Sequence, residues 1–360
     1  MTVTQPPLSR YIIGFGRWMG GFREADLNLP WEFDKDNQTN IVAGRMPSLE
    51  LLWWSRLPMV ILASTSIFIG FWLLKKIAGR LIGYIWILLS LMSVYYPRTL
   101  IRAMGDSALL AFIAGTLIVS YLLLQYSENQ KTNKVSRLYI YFLFLGISIG
   151  LAESSKLNGL SAIIAGFGFA ALIAFRMKQT RTMKIRFVLV SILVLVFSSQ
   201  LTFVVVNPFL WKNPLERTVT MFNQRLIEMS VQTNVFPSSR IQGFSQHVSV
   251  LTNRIFESYS SLHFDGALWI NIILFLIGFI YLIVKAVKYC KNQNSNPEAV
   301  VILAIGLATS FPSLFTPLDW DRYYIFLIYF STMAITIGIW LLALFGIQLI
   351  RKKITLTRKE

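Results

Sequence analysis

The sequence predicts an all-α, polytopic bundle of about nine transmembrane helices with extracytoplasmic interfacial helices, and three observations carry that prediction. Of the 360 residues, 55% are hydrophobic and 14% charged, with a mean hydropathy of +0.57, a balance too apolar for a chain that meets water alone. Apolar runs approaching the length needed to cross a hydrocarbon core of roughly 30 Å recur along the chain. The connections between them alternate between strongly basic and mixed in charge.

The runs fall at 58–74, 81–96, 107–126, 138–153, 157–175, 187–206, 267–284, 299–315 and 324–349. The last is long enough to tilt. Pro208, Pro214, Pro297, Pro312 and Pro317 sit at or near run ends, where a residue without an N–H starts, stops or kinks a helix. The chain thus divides into an extracytoplasmic first loop with interfacial helices (1–57), a bundle (58–350) that includes a long outer loop (207–266), and a cytoplasmic tail (351–360). Residues 44–57, "GRMPSLELLWWSRL", suit an amphipathic helix lying flat in the interface.

Charge orients the bundle. Lys75, Lys76 and Arg80; Lys131, Lys134 and Arg137; Arg176, Lys178, Arg181, Lys184 and Arg186; Lys285, Lys288 and Lys291; and the tail with Arg351, Lys352, Lys353, Arg358 and Lys359 hold more than half of the 34 basic residues. By the positive-inside rule these connections face the cytoplasm. The net charge of +17 is then a topology signal, and no nucleic-acid partner is expected. One cysteine and two histidines are too few for a thiolate or histidine metal centre, while a divalent metal on carboxylates stays open.

The remaining connections face outward and gather mixed charge, Trp and Pro. In "YYPRTLIRAMGDSALLAF" (95–112), Arg98, Arg102 and Asp106 stand four residues apart before an uncharged run; if 97–106 is helical, they share one face. An anion at a membrane surface calls for guanidinium and ammonium groups in a partly desolvated cleft. Lys156, Arg225 and Arg322 come from other outer connections and can converge on such an anion. Plainer readings stand beside this one: a helix-end ion-pair ladder for Arg98, Arg102 and Asp106, a snorkelling Lys156, a local Asp321–Arg322 pair, a solvated face for Arg225, and an aromatic belt for Trp53, Trp54, Trp211, Trp269 and Trp320.

Several stretches resemble one family in order. "TQPPLSRYIIGFGRWMGG" (4–21) resembles the "HPPLGK" stretch that follows the first helix of dolichyl-phosphate-mannose protein mannosyltransferases, glycosyltransferases of the GT-C fold; Gln5 replaces the histidine and Arg10 the lysine. "PRTLIRAMGDSALLAF", "FLGISIGLAESSKLNGLSAI" ending near Lys156, "NPFLWKNP" and "DWDRYYIFLIYF" resemble later outer segments of that family. The resemblance implies transfer of a mannose-like hexose from a polyprenyl-phosphate sugar to an extracytoplasmic protein, lipid or glycan acceptor, at the outer surface of a multi-pass membrane protein. It implies that Arg98, Arg102, Lys156, Arg322, Arg10 and Arg225 hold the lipid phosphate, that Asp106 orients acceptor or arginine, and that Tyr323 and Trp211 line the substrate. The family's catalytic aspartate lies upstream of the Pro-Pro motif, which predicts a further apolar helix before Met1. Without it, the alternatives are an inactive derivative or a lipid-linked sugar transporter, and a transporter calls for ionisable groups at mid-membrane.

Overall fold

The computed structural model describes residues 5–32, 35–129, 135–291 and 296–357. Lys131, Lys134, Arg358 and Lys359 lie outside them. Among the described residues there is no strand, only an isolated bridge between Arg240 and Leu318, and eight helical segments are long and apolar enough to cross a membrane.

The chain opens with α1 (Leu8–Met19) and a short α2 (Asn37–Val42). The first long helix, α3, runs Leu49–Ala78, its start fixed by the Ser48 hydroxyl accepting from the Leu51 N–H at 3.1 Å. The expected boundary at 57/58 therefore falls inside a helix, and residues 49–57 continue into the span instead of lying flat as a separate piece. Pro58, the first residue of the run at 58–74, sits in the helix interior and deprives Trp54 O of its usual donor. α1 packs there: a Cβ on Gly16 would lie 2.4 Å from that oxygen. The opposite face of α1 leaves Tyr11, Phe15 and Trp18 exposed, at helical spacing and suited to a membrane interface.

The run expected at 81–96 forms only the 13-residue α4 (Arg80–Met92), about 20 Å long and short of a full crossing. The helix ends because Ser93 turns extended and its hydroxyl donates to Tyr259 O at 2.8 Å. Then follow α5 (Asp106–Asn129), α6 (Val135–Ser155), α7 (Ile163–Arg176), entered through a tight turn at Leu157–Ala162, and α8 (Arg181–Val206). The long connection carries α9 (Pro214–Val235) and α10 (Gly243–Asn253). The bundle closes with α11 (Ala267–Cys290), α12 (Glu298–Ser310) and α13 (Ile325–Thr357).

The most extensive pairings are α6 with α8, α11 with α13, and α5 with α6. At the α11–α13 crossing the backbones nearly touch: a Cβ on Gly278 would fall 1.8 Å from Ala334 O, and one on Gly338 2.1 Å from Leu274 O. Two helices in an apolar solvent associate through such close approaches, because lipid removes the hydrophobic drive between them.

The described basic connections lie at one end of the bundle. There Arg176 pairs with Glu128 at 3.3 Å and lies 4.3 Å over the Tyr289 ring, while Lys76 and Lys285 lie over Trp72 and Tyr281. The other end carries the long connection, whose backbone is tied to residues 317–319 by Ile241 N–H to Pro317 O at 3.0 Å and Asp319 N–H to Ser239 O at 2.7 Å.

Candidate functional site

A recess of about 320 Å³ opens at this second end, lined by Thr99, Arg102, Met104, Asp106 and the run Asp319, Trp320, Asp321 and Arg322. Its size suits a small ligand or the head of a larger one.

Asp106 is the first residue of α5 and is 3% exposed. Its carboxylate accepts from Lys156 Nζ at 2.9 Å. Lys156 leaves the end of α6 in an extended conformation, which swings its ammonium 5.6 Å from the Tyr323 ring centroid and 3.5 Å from Arg322 O. A half-buried ion pair of this kind holds two segments that lie 50 residues apart.

Arg322 is held without a hydrogen bond to any described side chain. Its guanidinium lies 4.5 Å over Trp320 and 5.6 Å from the Tyr323 ring, and those two rings stack at 5.8 Å. Cation–π contact fixes the plane of the group while leaving its N–H donors for an anion. The local Asp321–Arg322 pair weighed from the sequence is not what forms, because the Asp321 carboxylate accepts instead from the Tyr259 hydroxyl. Arg102 lines the same recess from the turn before α5. Arg225, on α9, donates to Tyr323 Oη at 3.1 Å and pairs with Glu228 at 3.1 Å.

Three expected members lie elsewhere. Arg98 is exposed and does not line the recess; its charge acts on Tyr259 instead. The single helical face drawn through Arg98, Arg102 and Asp106 does not form, because Pro97 opens a wide turn over Tyr96–Leu100 and the regular helix starts only at Asp106. Arg10 donates to Gln5 Oε1 at 3.3 Å and does not line the recess; its neighbour Ser9 donates its hydroxyl to Ser155 O at 3.3 Å. Trp211 is exposed, and its indole N–H donates to Val204 O at 3.0 Å, finishing α8 rather than lining the recess.

The sequence reading missed the support behind the recess. Arg254 makes a bidentate pair with Asp319 at 2.9 and 2.8 Å and donates to the Tyr259 hydroxyl at 3.1 Å. Tyr95 donates to Asp321 O at 3.2 Å and packs on Tyr259. This network clamps 319–322 between the end of the long connection and the segment after α4. The hydrogen bonds that Arg254 donates to Asp319 raise its pKa further, and burial followed by the Asp321 contact raises the Tyr259 phenol above its ordinary 10.0. A phenol raised on folding stabilises the fold fully below pH 10 and loses that contribution as pH rises through the raised value. The melting temperature of the detergent-solubilised protein should therefore fall more steeply above pH 10 than that of Tyr259→Phe; equal slopes would remove the network's role.

Among the described residues, no group of three or more His, Cys, Asp or Glu side chains is arranged to hold a metal ion. The recess carboxylates are each engaged by a cation or a phenol.

An all-α polytopic membrane bundle, with cationic side chains gathered in a recess at one end, is the class that fold and site define. The model of the family described as dolichyl-phosphate-mannose-protein mannosyltransferase matches residues 1–216, and the chain belongs to that family. The Archaeoglobus fulgidus oligosaccharyltransferase in its apo form is similar at 15% identity and a TM-score of 0.48, over 93% of this chain and 46% of that one. The archaeal oligosaccharyltransferase AglB from the same organism, in complex with an inhibitory peptide and a dolichol-phosphate, is similar at 12% identity and a TM-score of 0.45, again over 93% and 46%. The chain thus spans less than half the length of these structures. A search of curated proteins gave no match.

Proposed function

We propose that the protein is a membrane glycosyltransferase that takes a mannose-like hexose from a polyprenyl-phosphate sugar and transfers it to an extracytoplasmic acceptor. The observation that carries this reading is the convergence of Arg102 and Arg322, neither bonded to a described carboxylate, on one recess beside the Lys156–Asp106 pair. Guanidinium groups preorganised in a half-buried cleft stabilise a departing phosphate in the transition state. In the transfer, the acceptor oxygen bonds to the anomeric carbon, the bond from that carbon to the phosphate oxygen breaks, and the acceptor proton passes to a carboxylate. Asp106, with one oxygen on Lys156, is the recess carboxylate proposed for that proton. The positive-inside rule places the recess outside and the chain's end in the cytoplasm. The family match supports a lipid-phosphate donor, and a neighbour solved with a peptide and a dolichol-phosphate is in keeping with a protein acceptor.

A second reading has its own observation. Because every recess carboxylate is already engaged, the site is better equipped to hold a phosphate than to accept a proton, which suits a binder of lipid-phosphate sugar that does not turn it over. Incubating the protein in nanodiscs with radiolabelled polyprenyl-phosphate mannose separates the two. Transfer by the wild type, reduced about 10²–10⁴-fold in Asp106→Asn with donor binding retained, is the expected result. Tight binding without turnover supports the second reading, and absence of both defeats the proposal.

A further inference from the structure

A second hollow, about 470 Å³, lies on the outer flank of α3 and is lined by seven residues, six of them apolar. Leu52, Trp53, Arg56, Leu57 and Val60 contribute to it at helical spacing, so one stripe of α3 forms one wall; Ile101 forms the other. Ile101 is followed directly by Arg102 of the recess, so the two hollows flank one stretch of backbone. Arg56 is the single charged residue in the lining, and its Nε is buried with no hydrogen-bond partner. An unsatisfied guanidinium nitrogen in an apolar hollow is costly unless an anion completes it.

Length sets the depth of this group. Residues 57–74 carry no charge and end at Lys75 and Lys76; at 1.5 Å per residue they span about 27 Å, close to the hydrocarbon thickness of roughly 30 Å. With Lys75 and Lys76 at one boundary, Arg56 lies at the other, where lipid phosphates reside. The exposed Trp53 indole beside it suits that depth.

We propose that this hollow binds an anionic glycerophospholipid, with its phosphate on Arg56 and an acyl chain along the α3 stripe. The inference rests on the proposed function in one respect only. A polyprenyl-phosphate donor has one phosphate, and the recess at Arg102 and Arg322 takes it, so Arg56 requires an anion from another molecule.

The test is thermal melting of the purified full chain in neutral detergent, titrated with phosphatidylglycerol or phosphatidylcholine. Phosphatidylglycerol should raise the midpoint of the wild type and of Arg322→Ala alike, and Arg56→Gln should need at least about tenfold more of it, the loss expected for one charge-assisted contact. Val60→Phe, which fills the hollow and keeps the guanidinium, should also lose the effect; it carries the test if Arg56→Gln fails to fold. An equal response to phosphatidylcholine, or wild-type behaviour in both variants, overturns the proposal. So does displacement of phosphatidylglycerol by polyprenyl phosphate from Arg322→Ala, which would assign the hollow to the donor. Failure of transfer with the Arg56 effect intact leaves this site standing and removes only the glycosyltransferase reading.

Discussion

Arg322→Ala is expected to lower transfer from a lipid-phosphate sugar by about 10²–10³-fold, the loss typical when one preorganised donor to a developing anion is removed. The basis is the unusual way this side chain is held: two aromatic faces position it and no described carboxylate neutralises it. Arg322→Lys keeps the charge but gives up the planar fork and most of the stacking, so its activity should fall between wild type and Ala. Arg102→Ala should lose a comparable factor. The double variant should lose less than the product of the two, since both act on one phosphate. Arg240→Ala, an exposed residue outside the recess, should behave as wild type. Transfer assays on membranes normalised for protein content measure all of these, and wild-type turnover in both single alanine variants would end the phosphate assignment.

Gly338→Val is expected to have the largest effect on the fold. The position a Cβ would take is 2.1 Å from Leu274 O and 2.8 Å from its carbonyl carbon, and neither atom belongs to a side chain that can rotate away. The α11–α13 crossing must open, at a cost of about 1–3 kcal/mol or more, and the matching contact at Gly278 is lost with it. Gly346→Val is the control on the same helix, because nothing lies within 4 Å of its Cβ position. Size-exclusion recovery and melting temperature in detergent should drop sharply for the first variant and stay unchanged for the second. Equal behaviour would show that the crossing is not tight in solution.

How much of this was legible in the sequence depended on the range of the interaction. The apolar runs and the basic connections are local patterns, and they located the long helices, with single ends displaced by as much as nine residues, as at the start of α3. The start of α3 was drawn late because the charges of Glu50 and Arg56 interrupt the apolar pattern, whereas Ser48, ten residues before the run, supplies the cap. Arg98 misled because spacing by four has meaning only inside a helix, and Pro97 opens a turn there. Asp106, Lys156 and Arg322 were singled out as charges at run ends, and the structure brings them together. Arg254 was no more than one outer cation among several. Its pairing with Asp319 spans 65 residues and that of Tyr259 with Asp321 spans 62, and no periodicity records a contact of that kind. The value of Trp320 lies in what rests on its face, which composition assigns equally well to a belt.

The clamp on residues 319–322 also has a consequence for biogenesis. Asp106 and Lys156 can meet as soon as α6 has left the ribosome, but Tyr95 waits for a partner 226 residues downstream and Lys156 for one 166 residues away. Membrane insertion proceeds from the amino terminus, so the cationic recess remains half-built until residues 319–322 have emerged. A nascent chain stalled before Asp319 would carry the Lys156–Asp106 ion pair without the clamp that holds Trp320 and Arg322 beside it.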